Sequence, residues 1–148
     1  MVIQCDASPS GLGAALLQEG RLLAFSSRVM SQTEQNHAKI EKELLAIVFA
    51  SEKFDTYIFG RSDVIVQSDH RPLETIFKKP IHNSPKRIQR MRLRLQHYGI
   101  HVEYKRGTTM FLADTLSRGY LENELVTPIP RSDIRSIRGE YLPLNWSR

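Results

Sequence analysis

Four carboxylates stand at the ends or edges of four separate apolar segments, and a compact chain must bring segments of that kind together. Asp6 follows Met1-Val2-Ile3-Gln4-Cys5, and Glu43 opens the run Leu44-Leu45-Ala46-Ile47-Val48-Phe49. Asp69 follows Val64-Ile65-Val66-Gln67-Ser68, and Asp114 follows Met110-Phe111-Leu112-Ala113. An ionised acid beside buried surface is costly unless charge compensates it. Any one of these acids alone reads equally well as a helix cap or turn residue. As a set they call for strand ends and a helix that converge on one place, where cations offset the charge.

With 148 residues, 41% of them hydrophobic, the chain can build one domain with a real core. Its single cysteine, Cys5, has no internal disulfide partner and no Cys or His cluster near it that would suggest a zinc site, which suits a reducing compartment. The longest apolar stretch, Leu44 to Ala50, is far too short for a membrane span, and the N-terminus reads as a strand and not as a signal peptide. An intracellular location is the expectation.

The formal charge of +5 is unevenly spread. Between Lys78 and Arg106 nine Lys or Arg face one acid, Glu103, so that segment carries +8 and the remainder −3. Such polarity offers a basic surface to a polyanion while the acids gather elsewhere; a merely solvated face is the alternative.

Residues 1 to 30 read as three short strands, Val2 to Asp6, Gly13 to Gln18 and Arg21 to Ser27, joined by the turn-forming Ser8-Pro9-Ser10-Gly11 and Glu19-Gly20. Ile40, Leu44, Ile47, Val48, Phe54 and Ile58 recur at helical spacing and predict one helix from Asn36 to about Phe59, stopped by Gly60. Glu43 sits at the edge of that stripe; Glu41 is near the same margin, so spacing favours Glu43 only weakly. Asp63 to Asp69 reads as a central parallel strand, and Pro72 opens a short helix to Lys78. Asn83 to Tyr98 predicts a further helix, with Ile88, Met91, Leu95 and Tyr98 on a packing side and Arg87, Arg90 and Arg94 beside them as phosphate contacts. Ile100 to Tyr104 alternates as a fifth strand, and a last short helix covers Leu112 to Arg118. The prolines and scattered arginines of 119–148 read as a linker or loosely docked tail. This order describes an α/β domain on a mixed sheet.

Several words in the chain are recognisable together. Asp6-Ala7-Ser8, Gly11-Leu12-Gly13-Ala14-Ala15-Leu16-Leu17-Gln18, Ala24-Phe25-Ser26-Ser27-Arg28, Glu41-Lys42-Glu43-Leu44-Leu45-Ala46-Ile47-Val48, Ser68-Asp69-His70-Arg71-Pro72-Leu73 and Leu112-Ala113-Asp114-Thr115-Leu116-Ser117-Arg118 occur in this order. They strongly resemble the ribonuclease H domain of gypsy-type (Metaviridae) LTR retrotransposon polyproteins. The resemblance covers about residues 2 to 118, and agreement of so many words in order makes it specific. It implies a ribonuclease H-like α/β fold over 1–118, with a five-stranded mixed sheet and helices on both faces. It implies a 119–148 tail leading toward an integrase region that the chain lacks.

The implied activity is endonucleolytic cleavage of the RNA strand of an RNA–DNA hybrid, leaving a 3′-hydroxyl and a 5′-phosphate, by the RNase H module of an RNA-directed DNA polymerase polyprotein. The implied cofactor is a pair of Mg²⁺ ions, for which Mn²⁺ can substitute, held by Asp6, Glu43, Asp69 and Asp114. By the family pattern Asp6 would bridge both ions, Glu43 and Asp69 would complete the ion on the leaving-group side, and Asp114 would help hold the one that activates water. Many cellular relatives carry a histidine shortly before the last aspartate. Here Tyr104 stands ten residues before Asp114, as is common in gypsy-type sequences, and a positioning role suits a phenol better than that of a base; a half-buried strand aromatic is the equal alternative. Backbone amides of Ala7 and Ser8 are candidate contacts to the scissile strand. Polymerase and integrase modules are the expected partners within a polyprotein, in the cytoplasm or in virus-like particles. The competing reading is a truncated, non-catalytic element copy that at most binds nucleic acid.

Three other constellations carry less. Ser68-Asp69-His70 cannot form a relay, because adjacent strand residues face opposite sides. His97 and His101 are separated by Gly99, which breaks a helical metal pair. Gly11-Leu12-Gly13 precedes a strand and lacks the third glycine of a dinucleotide loop. His70 and Pro72 read as shaping the helix start after Asp69, His70 with a supporting place behind that acid.

Overall fold

The structure, a computed structural model, describes residues 1–106 and the backbone of 125–128. Three consecutive strands, β1 (Val2–Ala7), β2 (Gly11–Gln18) and β3 (Arg21–Val29), form an antiparallel meander. Glu19 and Gly20 both take positive φ, 52° and 73°, the backbone that a two-residue hairpin loop requires. After the helical segment, β4 (Val64–Ser68) returns parallel to β1, and β5 (Ile100–Tyr104) adds parallel to β4. These are the five strands expected from the sequence, in a mixed sheet.

A sixth strand, β6 (Leu125–Pro128), extends the other edge by pairing antiparallel with β3, giving the order β5-β4-β1-β2-β3-β6. It falls inside the stretch read above as a linker or tail. Pro128 pairs at Ala24 on the sheet's outermost strand, the one place where a residue without an N–H is tolerated.

One face of the sheet carries the core. Ile3, Cys5, Leu12, Ala14, Leu16, Val64 and Val66 pack beneath Leu44, Ile47, Val48 and Phe54 of the central helical segment and Leu73, Ile88, Met91 and Leu95 of the later helices. The single helix predicted for Asn36–Phe59 is instead α2 (Lys39–Lys53) followed, across Phe54, by α3 (Asp55–Ile58). A preceding helix α1 (Gln32–Gln35) escaped the sequence reading although Ser31 and Glu34 form a capping box across its first turn. Periodicity carries through these breaks because Phe54 and Ile58 stay fully buried. Helix α4 (Arg71–Lys78) follows β4. The helix predicted from Asn83 begins later, as α5 (Lys86–Leu95), because Pro85 holds Ser84 extended (φ −98°, ψ 155°), and a separate 3-10 turn covers Ile81–Asn83. The helix expected over Leu112 to Arg118 lies outside the described residues.

The opposite face of the sheet carries a polar row across three strands. Gln4 donates through Nε2 to Gln67 Oε1 at 3.0 Å, and Gln67 donates through Nε2 to Glu103 Oε1 at 3.0 Å. The row follows the pairing of Gln4 with Gln67 and of Gln67 with Glu103, and so marks a level two residues before Asp6 on β1 and Asp69 after β4.

Candidate active site

With Gln4 opposite Gln67, Asp6 near the end of β1 and Asp69 just past β4 reach the same level of the sheet. Helix α2 crosses β1 and β2 and lowers Glu43 from its second turn onto that end of the sheet. Each of the three acids has a ligand oxygen within 4.8 Å of the other two. Asp6 and Glu43 are buried, at 7% and 2% exposure, so the charges are close and poorly hydrated.

Electrostatics follow directly. The Glu43 carboxyl is pushed up to about 9, first by burial and then by repulsion from Asp6 and Asp69, with Lys39 and a hydrogen bond from the Ala7 backbone pulling the other way. Its Oε2 is buried and has no hydrogen-bond partner among the described residues. The Cys5 thiol, buried beneath the same carboxylates, is likewise pushed well up, by burial and by Glu43, Asp6 and Asp69. Three converging hard oxygen donors, one of them an orphan inside the protein, are a donor set suited to an oxygen-seeking divalent cation. Asp114, the fourth predicted acid, lies outside the described residues.

Of the two glutamates at the helix margin, Glu43 points toward the aspartates, whereas Glu41 turns outward to Arg87 at 2.7 Å. Lys39, one turn before Glu43, was not anticipated; its charge acts on both Glu43 and His70. The signal for it was the i, i+4 spacing from Glu43 at a helix start. His70 is the residue that precedes α4, and burial and Lys39 hold its imidazole below its usual range despite Asp69.

Tyr104 ends β5 opposite Ser68, at the same end of the sheet as the acids. Its backbone N–H donates to Glu74 Oε2 at 2.7 Å, and the Arg71 guanidinium lies 4.5 Å from its ring centroid. Ala7 is half-buried, and Ser8 is buried with its hydroxyl accepting from Gly11 N–H at 3.0 Å in the turn after β1. Among the nominated arginines, Arg87 is paired with Glu41 and Arg94 is held by Glu52 through two hydrogen bonds of 2.9 and 2.8 Å. Arg90 is exposed and makes no ion pair among the described residues. His97 stacks on Tyr98, and His101 meets the Ser62 carbonyl at 3.1 Å, so the two histidines do not form a metal pair. A groove of about 660 Å³ lined by Arg28, Glu34, Phe49, Glu52 and Lys53 includes none of the clustered acids.

The model of the RNase H-like domain found in reverse transcriptase matches residues 1–98. The chain belongs to that family. Among curated relatives of this RNase H-like domain, the retrovirus-related Pol polyprotein from transposon gypsy of Drosophila melanogaster is 40% identical over 138 residues, which is 91% of this chain and 13% of that protein. The Pol polyprotein from transposon 297 of the same organism is 40% identical over 123 residues, 82% of this chain and 11% of that protein. The chain thus spans only about an eighth of the polyproteins it resembles. Among solved structures, LC11-RNase H1 in complex with an RNA/DNA hybrid aligns with a TM-score of 0.61 at 16% identity, over 78% of this chain and 91% of that one. The foamy viral protease-reverse transcriptase in complex with an RNA/DNA hybrid aligns with a TM-score of 0.57 at 22% identity, over 70% of this chain and 15% of that one. At these identities the structural neighbours establish the ribonuclease H fold. Among the described residues no helix is long and apolar enough to cross a membrane.

Proposed function

We propose that this RNase H-like domain is a divalent-metal-dependent endoribonuclease that cleaves the RNA strand of RNA–DNA hybrids as a module of a retrotransposon reverse transcriptase. One observation carries the reading: Asp6, Glu43 and Asp69 bring ligand oxygens within 4.8 Å of one another, with Glu43 Oε2 buried and unpartnered among the described residues. That arrangement is unfavourable as three bare carboxylates and favourable around a cation.

Asp6, Glu43 and Asp69 would hold Mg²⁺, or Mn²⁺ in its place, and Asp114 is proposed as the fourth acid from its sequence word. When bound, the cations supply Lewis acidity toward a phosphodiester and offset charge on the departing oxygen. The chain's own part is to fix the acids on two neighbouring strands and one helix, so that little reorganises during the reaction. A strand-end location suits a polymer that lies across the site. Contacts to phosphates and 2′-hydroxyls, made by the exposed cations of α5 and by backbone near Ala7, would select the hybrid by shape.

The test is cleavage of a labelled RNA–DNA hybrid with Mg²⁺ by the wild-type chain and by Asp69→Asn. Wild-type cleavage that is lost in the variant is the expected result. Cleavage that persists in Asp69→Asn would remove the proposed site, and a folded wild-type chain that binds the hybrid without cutting it would leave the domain as a binding module.

A further inference from the structure

We propose that Arg71, seated on the ring of Tyr104, is a phosphate-binding residue that fixes the nucleic-acid strand beside the Asp6–Glu43–Asp69 cluster. The inference deepens the nuclease reading and rests on it for the identity of the ligand. Arg71 is the first residue of α4 and lies two positions after Asp69, so its backbone is tied to an acid of the site. Its guanidinium carbon lies 4.5 Å from the Tyr104 ring centroid, and the residue is exposed.

Tyr104 is itself held at two points. Its backbone pairs with β4 at the level of Ser68, and its N–H donates to Glu74 Oε2 at 2.7 Å, one helical turn beyond Arg71. Helix α4 and the end of β5 therefore grip each other, and the aromatic ring is a fixed platform. A guanidinium resting over an aromatic face engages the ring through its charge and leaves its N–H donors for a phosphate, which accepts them in pairs.

The contrast with four other arginines sharpens the assignment. Arg28 is bonded to Glu34, Arg61 to Asp63, Arg87 to Glu41 and Arg94 to Glu52, each at 2.7 to 3.0 Å. Arg71 has no carboxylate within 4.0 Å among the described residues; Glu74 feels its charge but spends its oxygens on Tyr104 N–H and Lys78. Three clustered acids repel a polyanion, and a cation on the adjacent rim is needed to draw a phosphate to them. Tyr104 acts as a positioning residue, through Arg71.

The experiment measures hybrid binding without turnover, by titrating a fluorescent RNA–DNA hybrid into Asp69→Asn protein in EDTA at several salt concentrations. Adding Arg71→Ala should weaken binding about tenfold and reduce the slope of log affinity against log salt by about 0.9, the value of one lost phosphate contact. Arg71→Lys should keep most of the slope yet lose affinity, because a lysine holds the charge without the planar fork. Tyr104→Leu should weaken binding in the Arg71 background but add little once Arg71→Ala is present. An unchanged slope in Arg71→Ala, or fully additive effects of the two substitutions, would overturn the proposal. The two readings separate cleanly: a wild-type chain that cuts hybrid while the Arg71→Ala slope is unchanged sinks only the phosphate seat, whereas a changed slope without wild-type cleavage sinks only the nuclease.

Discussion

Arg87 on α5 donates to Glu41 on α2 at 2.7 Å, across two helices that are far apart in sequence. Arg94 makes the equivalent tie to Glu52 one level along the same helix pair. The basic stripe of α5 is thus partly spent on holding α5 against α2, and its arginines are not equal as phosphate contacts.

Arg90 is predicted to carry more of the salt dependence of hybrid binding than either neighbour. Arg90→Ala should lower the salt slope by about 0.9, the loss of one full contact, while Arg87→Ala and Arg94→Ala should each lower it by less. The paired arginines give up a carboxylate to take a phosphate, and Glu41 and Glu52 remain nearby to repel the strand. Equal slopes for all three variants, measured by titration at several salt concentrations, would contradict the ordering.

The acid cluster should destabilise the metal-free protein. Folding places the Glu43 carboxyl, ordinarily at 4.5, in an environment that pushes it up to about 9. Between those values the folded chain keeps a proton that the unfolded chain releases, so metal-free stability falls as pH rises through that window and levels off above it. Melting temperature in EDTA should decline with pH accordingly, and Glu43→Gln should flatten the decline. Millimolar Mg²⁺ should raise the wild-type melting temperature at neutral pH, and Asp6→Asn should raise it without metal. A metal-independent, pH-independent melting curve across this range would speak against convergence of the acids.

Much of this architecture was readable from residue order, for identifiable reasons. Strands β1, β2, β3, β4 and β5 announce themselves because each is a short apolar run closed by turn residues, and α2 because its buried positions keep a helical period. Boundaries were less legible where one residue overrides the period: Phe54 stays in the core while the helix breaks across it, and Pro85 delays the start of α5 from Asn83 to Lys86. Glu43 could not be separated from Glu41 by spacing, since both lie at the stripe's margin; the α5 arginine that captures Glu41 is a tertiary fact. The Arg71–Tyr104 stack was likewise invisible, because it joins residues on different elements. Strand β6 escaped because an edge strand needs little apolar pattern of its own.

The first turn of α1 makes an acid-sensitive contribution. Glu34 accepts from Arg28 at 2.7 and 3.0 Å and from Ser31 N–H at 2.8 Å, while Ser31 Oγ accepts from Glu34 N–H at 3.1 Å. Those bonds, the Arg28 one foremost, hold the Glu34 carboxyl at about 2 against the ordinary 4.5. A depressed folded value means that the contribution is intact above about pH 4.5 and disappears as pH falls toward 2. Ser31→Ala and Glu34→Gln should each cost about 1 kcal/mol in urea unfolding at neutral pH, and the Glu34→Gln deficit should vanish in acid. A deficit that stays undiminished as pH falls from 4.5 to 2 would show that the pair acts through packing and not through charge.

Gly99 is predicted to be intolerant of any side chain. It joins α5 to β5 where the chain passes the loop before β4, and a Cβ there would lie 2.4 Å from the Arg61 carbonyl oxygen and 2.8 Å from Ser62 Cα. Both obstacles are backbone, so relief requires moving β5 away from β4 rather than turning a side chain. That movement would strain the parallel pairing that sets Tyr104 opposite Ser68. Gly99→Ala should therefore cost about 1–3 kcal/mol, the usual range for overpacking. It should also weaken hybrid binding through the displaced Tyr104 platform. By contrast, Gly60→Ala meets no atom within 4 Å and pays only for its positive φ of 82°. Comparing the two variants by chemical denaturation separates the causes: a Gly99→Ala deficit no larger than that of Gly60→Ala would mean that the close approach is readily relaxed.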